Sequence, residues 1–238
     1  MEQIIRFPET ERGKSDLWWL KSNFSFSFWN YYNPQKMWFW TLRVINNDIV
    51  KAGTGFGMHH HDNMEIITIP LSGSLTHRDS LWNEGTIYPN EVQSMSAWTG
   101  IEHSEMNLWE LDGEFFQIWI ETKNYDITPE YHQKKFSADE RNGIWQYLAW
   151  PDRDKGNVVI NQDAFIYRVT LETWKELEYI KKIPENEIYI MNIFWEIELE
   201  WETLKYRDSL WIIWHDSITI KSNDISDILL IEIPYHRN

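Results

Sequence analysis

GTGFGMHHHDNMEIITIPLSG (residues 53–73) and MSAWTGIEHSEMN (residues 95–107) bracket five of the chain's eight histidines. One residue separates His59 from His61, and one separates His103 from Glu105. Side chains of an extended strand return to the same face every second residue, so each pair presents two donors in one direction. Two such strands side by side would aim four ligands at one point. Three imidazoles and a carboxylate, with no thiolate, suit a first-row divalent ion such as iron, manganese, nickel, copper, cobalt or zinc. On a six-coordinate ion they would leave two positions open. The alternative is a closed tetrahedral zinc site of structural purpose, and the spacing is compatible with both.

Working outward, Gly53, His59, His61, Glu65 and Gly73 are spaced like the first signature of the cupin superfamily, and His103 with Asn107 resembles the end of the second. FSFSFWNYYNP at 24–34, LRVINNDIV at 42–50, LTHRDS at 75–80, GIEHSEMN at 100–107, FFQIWI at 115–120 and PEYHQKKF at 129–136 resemble the pirin family more closely still. The resemblance covers nearly the whole N-terminal half. It implies an all-β fold of two cupin (jelly-roll) barrels in tandem, a bicupin. It also implies one divalent metal, Fe²⁺ first among the candidates, held by His59, His61, His103 and Glu105. Some members of the family have a quercetin 2,3-dioxygenase-like activity on a small aromatic flavonol and dioxygen. Others are metal-dependent or redox-sensing regulators that bind a protein partner. An isomerase or hydrolase on the same scaffold is a further alternative, since fold does not fix function.

In the dioxygenase reading, Glu105 or Glu65 takes the proton of the substrate hydroxyl. Many cupins use the glutamate at Glu65 as a ligand; the pirin pattern uses Glu105, which leaves Glu65 beside the ligands. Strand parity carried forward from His59 and His61 would point Glu65 at the same centre. The apolar wall is expected from Met58, Met95, Met106 and Trp98. His60 replaces the proline usual between the two histidines, and parity points it away from the metal. His77, in the LTHRDS hairpin, reads more readily as a surface histidine than as a partner of the ligands.

The net charge of −15 over 238 residues would repel a phosphate backbone, so direct nucleic-acid binding is not expected, though docking on a basic protein is compatible. No run of eighteen apolar residues suggests a membrane span, and MEQIIRFPETERGK lacks a signal peptide's apolar segment. A cytoplasmic protein is the expectation. With no cysteine, metal binding falls to histidine and carboxylate.

Residues 1–22 read as an arm of low functional content, and the aromatic FSFSF run as core. The polar YHQKKFSADERNG (131–143) suggests a boundary near residue 140, giving a metal-binding domain 1–140 and a second barrel 141–238 without a metal site. VVINQDAFIYRVTLE, EIYIMNIFWEIELEW, SLWIIWHDSITI and DILLIEIP alternate apolar and polar residues as antiparallel strands do. His215 and His236 are the only histidines there.

Sixteen tryptophans against ten glycines is unusual for a turn-rich β protein. Trp82, Trp201, Trp211 and Trp214 sit beside polar turn residues where glycine is expected. The pirin pattern has glycine at the places of Trp18, Trp38, Trp40, Trp98 and Trp195. A stop-type codon reassigned to glycine but translated as tryptophan would explain this; a truly tryptophan-rich chain is the alternative.

Overall fold

The computed structural model describes residues 3–125, 128–153, 157–200 and 202–235. Among them the regular structure is β-strand, apart from single 3-10 turns at Glu9–Glu11 and Asp139–Arg141. Strands rich in Ile, Val, Phe and Tyr, separated by polar turns, favour this outcome. No helix among the described residues is long and apolar enough to cross a membrane. The chain forms two compact units, each built from two antiparallel sheets, which is the tandem cupin architecture.

The units exchange segments. One comprises Gly13–Phe136 and Asp152–Gln162; the other comprises the opening segment to Arg12, Ser137–Pro151 and the chain from Asp163 onward. Along the chain the unit changes after Arg12, Phe136, Pro151 and Gln162, and the second of these changes lies close to the boundary expected near residue 140. The N-terminus is not a loose arm. Strand β1 (Gln3–Phe7) pairs antiparallel with Ser209–Ile213, from Gln3 opposite Ile213 to Phe7 opposite Ser209. Phe7 packs on Trp211 with ring centroids 4.3 Å apart, and Arg6 reaches Asp208 at 2.8 Å.

In the site-bearing unit the strands are β2 (Gly13–Asp16), β3 (Leu20–Phe24), β4 (Leu42–Val50), β5 (Thr54–His61), β6 (Met64–Ser72), β7 (Leu75–Asp79), β8 (Glu84–Ile87), β9 (Glu91–Ser96), β10 (Ile101–Asn107), β11 (Gly113–Glu121) and β12 (Glu130–Lys135). One sheet runs β12-β9-β6-β11-β4-β3-β2, the other β5-β10-β7-β8. Leu20, Val50, Leu75, Ile87 and Phe115 form one apolar cluster; Ile66, Met95, Ala97 and Ile101 form another. Each of these buried side chains except Ala97 contributes ~1.5–3 kcal/mol.

The other unit's larger sheet places β1, 209–213, 186–194, 226–234, 165–171 and 146–150 side by side, and its smaller sheet joins 176–180, 217–222, 197–199 and 203–204. Its interior is packed with apolar side chains, among them Ile188, Ile190, Ile212, Ile220 and Leu230. His236 lies outside the described residues.

Among the described residues, nine non-glycine positions hold positive φ. Three are Asn63, Asn90 and Arg207; the other six are Trp29 (50°), Trp40 (53°), Trp82 (68°), Trp174 (62°), Trp195 (63°) and Trp214 (63°). Trp40, Trp82, Trp195 and Trp214 are positions where glycine is expected, whereas Trp29 and Trp174 were not singled out by the sequence. Trp18, Trp38, Trp98 and Trp211 have no left-handed backbone, and Trp201 lies outside the described residues. Trp211 sits buried within the strand Ser209–Ile213, not in a turn, because Tyr189 and Ile5 pair with it on either side.

Candidate metal centre

Strands β5 and β10 are antiparallel neighbours, with His103 directly opposite His59. The register shifts between His103 and Glu105, which faces Phe56, so β5 carries an extra residue around Gly57 and Met58. Such a bulge re-aims the side chains next to it. Gly55 lets the strands close: a Cβ there would lie 2.2 Å from the Glu105 carbonyl oxygen.

His59, His61 and His103 bring their donor nitrogens within 4.8 Å of one another. The His59 Nδ1 lies 2.7 Å from the Gly57 carbonyl oxygen, so Nδ1 carries the proton and Nε2 keeps the lone pair. Nε2 of His61 and Nε2 of His103 are buried without a hydrogen-bond partner. Buried polar atoms are normally satisfied, so lone pairs left open at one point fit a cation. Burial, reinforced by His103 and His59, lowers the His61 pKa to about 3. Burial, together with His59 and His77, lowers that of His103 to about 2. Both imidazoles are therefore neutral near pH 7, the state a metal requires. Trp119 packs edge-on against His61 with centroids 4.7 Å apart.

Glu105 is buried and lines the same cavity, having alternated to the inner face with His103 along β10. Its Oε1 accepts from the Thr68 hydroxyl at 3.1 Å and its Oε2 from the Gln117 amide at 2.7 Å. Each carboxylate oxygen has two lone pairs, so capacity for a cation or a proton remains.

Glu65 does not join this group. Parity carried from His61 breaks at Asn63, whose φ of 46° turns the chain from one sheet into the other. On β6 Ile66 lines the cavity and the Thr68 hydroxyl reaches Glu105, so Glu65 lies on the opposite face. There its carboxylate accepts from the Ser96 hydroxyl and the Trp98 indole, both at 2.5 Å. Burial raises its pKa to about 7 against the opposing effect of those two bonds and one from the Asn161 backbone.

His60 is exposed on the outer face, 3.9 Å from Asp62, as parity along β5 requires. His77 is not a surface residue: it is fully buried in β7, and its Nδ1 lies 3.4 Å from His103 Nδ1.

Above the triad opens a cavity of about 360 Å³. Trp19, Phe24, Phe28, Phe56, Ile66 and Trp119 supply its apolar wall, while Asn46, Asp48 and Gln117 add polar groups. Met58, Met95, Met106 and Trp98 do not line it. Met58 is turned outward at the bulge, and Met95 packs with Ile66, Ala97 and Ile101. The FSFSF run thus supplies wall as well as core: Phe24 and Phe28 reach the cavity while Phe26 is buried.

Residues 8–120 match the pirin family, and residues 147–233 match the family described as quercetinase C-terminal cupin domain. A quercetin 2,3-dioxygenase of Escherichia coli K12 is 37% identical over 226 residues, covering 94% of this chain and 96% of that protein. A pirin-like protein of Caulobacter vibrioides is 34% identical over 230 residues, covering 96% and 99%. The crystal structure of the Escherichia coli bacterial pirin YhhW in complex with nickel(II) superposes with a TM-score of 0.91 at 35% identity, covering 98% of this chain and 99% of that one. Their similarity runs through both barrels, and the chain belongs to the pirin family.

Proposed function

We propose that this chain is a metal-dependent dioxygenase acting on a flavonol-like aromatic substrate, with Fe²⁺ as the ion held by His59, His61, His103 and Glu105. The observation that carries the reading is the convergence of three imidazoles, two of them with unsatisfied buried Nε2 atoms, at an aromatic-walled cavity. A cavity of about 360 Å³ suits a fused-ring ligand of modest size. The ion supplies Lewis acidity towards a substrate hydroxyl and redox access to dioxygen.

The remaining work falls to side chains. Trp19, Phe24, Phe28 and Phe56 stack on the flat rings and exclude water. Trp119 holds the His61 ring edge-on, and the Gly57 carbonyl orients His59. Glu105 takes the proton of the substrate's 3-hydroxyl, while Thr68 and Gln117 keep its carboxylate turned to the cavity. Glu65, on the other face of β6, is left with a structural role. The nickel complex of a relative, and that relatives bear the dioxygenase name, support a divalent ion and an aromatic substrate.

Oxygen uptake with quercetin tests the proposal, using protein loaded anaerobically with Fe²⁺ and a His103→Ala variant. Uptake that disappears in the variant supports it. A folded, metal-loaded protein that consumes no oxygen overturns it, and leaves the family's other role, a metal-dependent regulator binding a protein partner.

A further inference from the structure

At the Nδ1 edge of His103 lies a chain of buried polar groups that the proposed reaction does not use. His77 is fully buried in β7. Its Nε2 is 3.1 Å from Asp79 Oδ2, and its Nδ1 is 3.2 Å from Gln93 Nε2 and 3.4 Å from His103 Nδ1. A carboxylate only accepts and an amide nitrogen only donates. His77 therefore carries its proton on Nε2, towards Asp79, and offers the Nδ1 lone pair. The contact with His103 then needs its proton from His103, which shares the one Nδ1 lone pair with the shorter Gln93 bond; this favours the Nδ1–H tautomer of His103 and leaves its Nε2 free.

Asp79 is itself held in place. Its Oδ1 accepts the backbone N–H groups of Leu81 at 2.9 Å and Asn83 at 3.0 Å, and its Oδ2 accepts the Asn83 amide at 2.9 Å. Tyr131 packs on the His77 ring with centroids 4.9 Å apart. We infer that His77 is a positioning residue: Asp79, His77 and His103 form a carboxylate–imidazole–imidazole relay that sets the tautomer and strengthens the Nε2 donor of the metal ligand. Partners behind a ligating histidine commonly govern metal affinity in this way.

The inference rests on the metal reading of the triad, and Ni²⁺ affinity by chelator competition tests it together with the visible absorption of the Co²⁺-loaded protein. Asp79→Asn keeps the size of the side chain but turns an N–H towards His77 Nε2. That inverts the His77 tautomer and sets two donors against each other at His103. The expected result is a loss of about tenfold to a hundredfold in Ni²⁺ affinity and shifted Co²⁺ bands, in a protein with unchanged circular dichroism. His77→Gln, whose amide oxygen can accept from His103, is expected to retain more of the affinity than Asp79→Asn. A folded Asp79→Asn protein with wild-type affinity and bands overturns the relay alone. Wild-type protein that takes up neither ion overturns the relay and the metal reading together.

A different observation carries a second inference. Left-handed backbone is the territory of glycine and, less often, asparagine, yet six of the nine non-glycine residues found there are tryptophan. Five of the six, Trp29, Trp82, Trp174, Trp195 and Trp214, have exposed rings. Trp119, by contrast, has ordinary backbone and packs on His61 and Phe28. We propose that Trp29, Trp40, Trp82, Trp174, Trp195 and Trp214 are glycines in the protein as its own cell makes it, through a codon decoded there as glycine. Peptide mass spectrometry of protein purified from its source tests this, with position 119 as the internal control. Glycine at position 82 beside tryptophan at 119 supports the proposal; tryptophan at position 82 overturns it.

Discussion

Replacing Trp82 with glycine should make this protein more stable. Trp82 sits in the turn between β7 and β8 with φ at 68°, and its side chain is 95% exposed. A left-handed backbone costs an L-residue ~1–2 kcal/mol, because Cβ crowds the following carbonyl oxygen. The greater freedom of glycine in the unfolded chain takes back ~0.5–1 kcal/mol. An almost fully exposed ring forfeits no burial, so the balance is a gain of ~0–1.5 kcal/mol. Trp174, 69% exposed at φ 62°, should behave alike. Trp195 and Trp214 pack on Phe194 and Tyr235, so their substitution should be nearer neutral. Summed over six sites the strain is ~6–12 kcal/mol, as large as a typical domain's whole stability of ~5–15 kcal/mol. Trp211→Gly is the counterpart, since it empties a buried site between two strands and should cost ~3–5 kcal/mol or more. Urea unfolding measures both, as a midpoint shift at constant slope. A lowered midpoint for Trp82→Gly would refute the reasoning.

Glu105→Gln should lower quercetin-dependent oxygen uptake by ~10²-fold or more while the chain stays folded, since the amide cannot take a proton; activity within a few fold of wild type would remove Glu105 from that role. Glu65→Gln should leave turnover within a few fold but lower stability by ~1–3 kcal/mol, because the Ser96 and Trp98 donors lose a carboxylate acceptor. A large loss of turnover in a stable variant would bring Glu65 back into the chemistry. Metal-free protein should gain stability as pH rises from about 3, the pKa of His61 when folded, to 6.5, its ordinary pKa. Over that range His61 and His103 are protonated only in the unfolded chain, which makes the slope positive at about 1.4 kcal/mol per pH unit for each group. Glu65 opposes them from 4.5 to about 7, being protonated only when folded, so the rise should flatten above 4.5. Urea midpoints across this range in wild type and His103→Phe check the sign: the variant should show a shallower rise, and an equal slope would refute the assignment.

Parity within one strand was a sound guide to the site, and parity carried across a turn was not. His59 and His61 share β5, His103 and Glu105 share β10, and both pairs point inward as alternation requires. Glu65 is only four residues beyond His61, but the turn at Asp62 and Asn63 moves it to another sheet and resets the count. His77 was illegible for a related reason. Its burial comes from β7 pairing with β10, which sets His77 opposite Glu105, and a polar LTHRDS hairpin gives no sign of that partner. The pairing of β1 with Ser209–Ile213 lies beyond any local pattern, so an extended QIIRF reads as an arm until its neighbour is known.

Aromatic residues expose a second limit. Phe24, Phe26 and Phe28 alternate in one short run, but Phe26 is buried core while Phe24 and Phe28 line the cavity, because a cavity wall and a core demand the same apolar surface. Only the space in front of the ring separates the two. Trp82 and Trp119 pose the same problem more sharply. One has 95% of its surface in water on a backbone that disfavours any side chain. The other packs edge-on against His61 at the wall of the cavity. As letters in a tryptophan-rich chain they are indistinguishable. Backbone angle and contact divide them, and that division makes one a candidate glycine and the other part of the site.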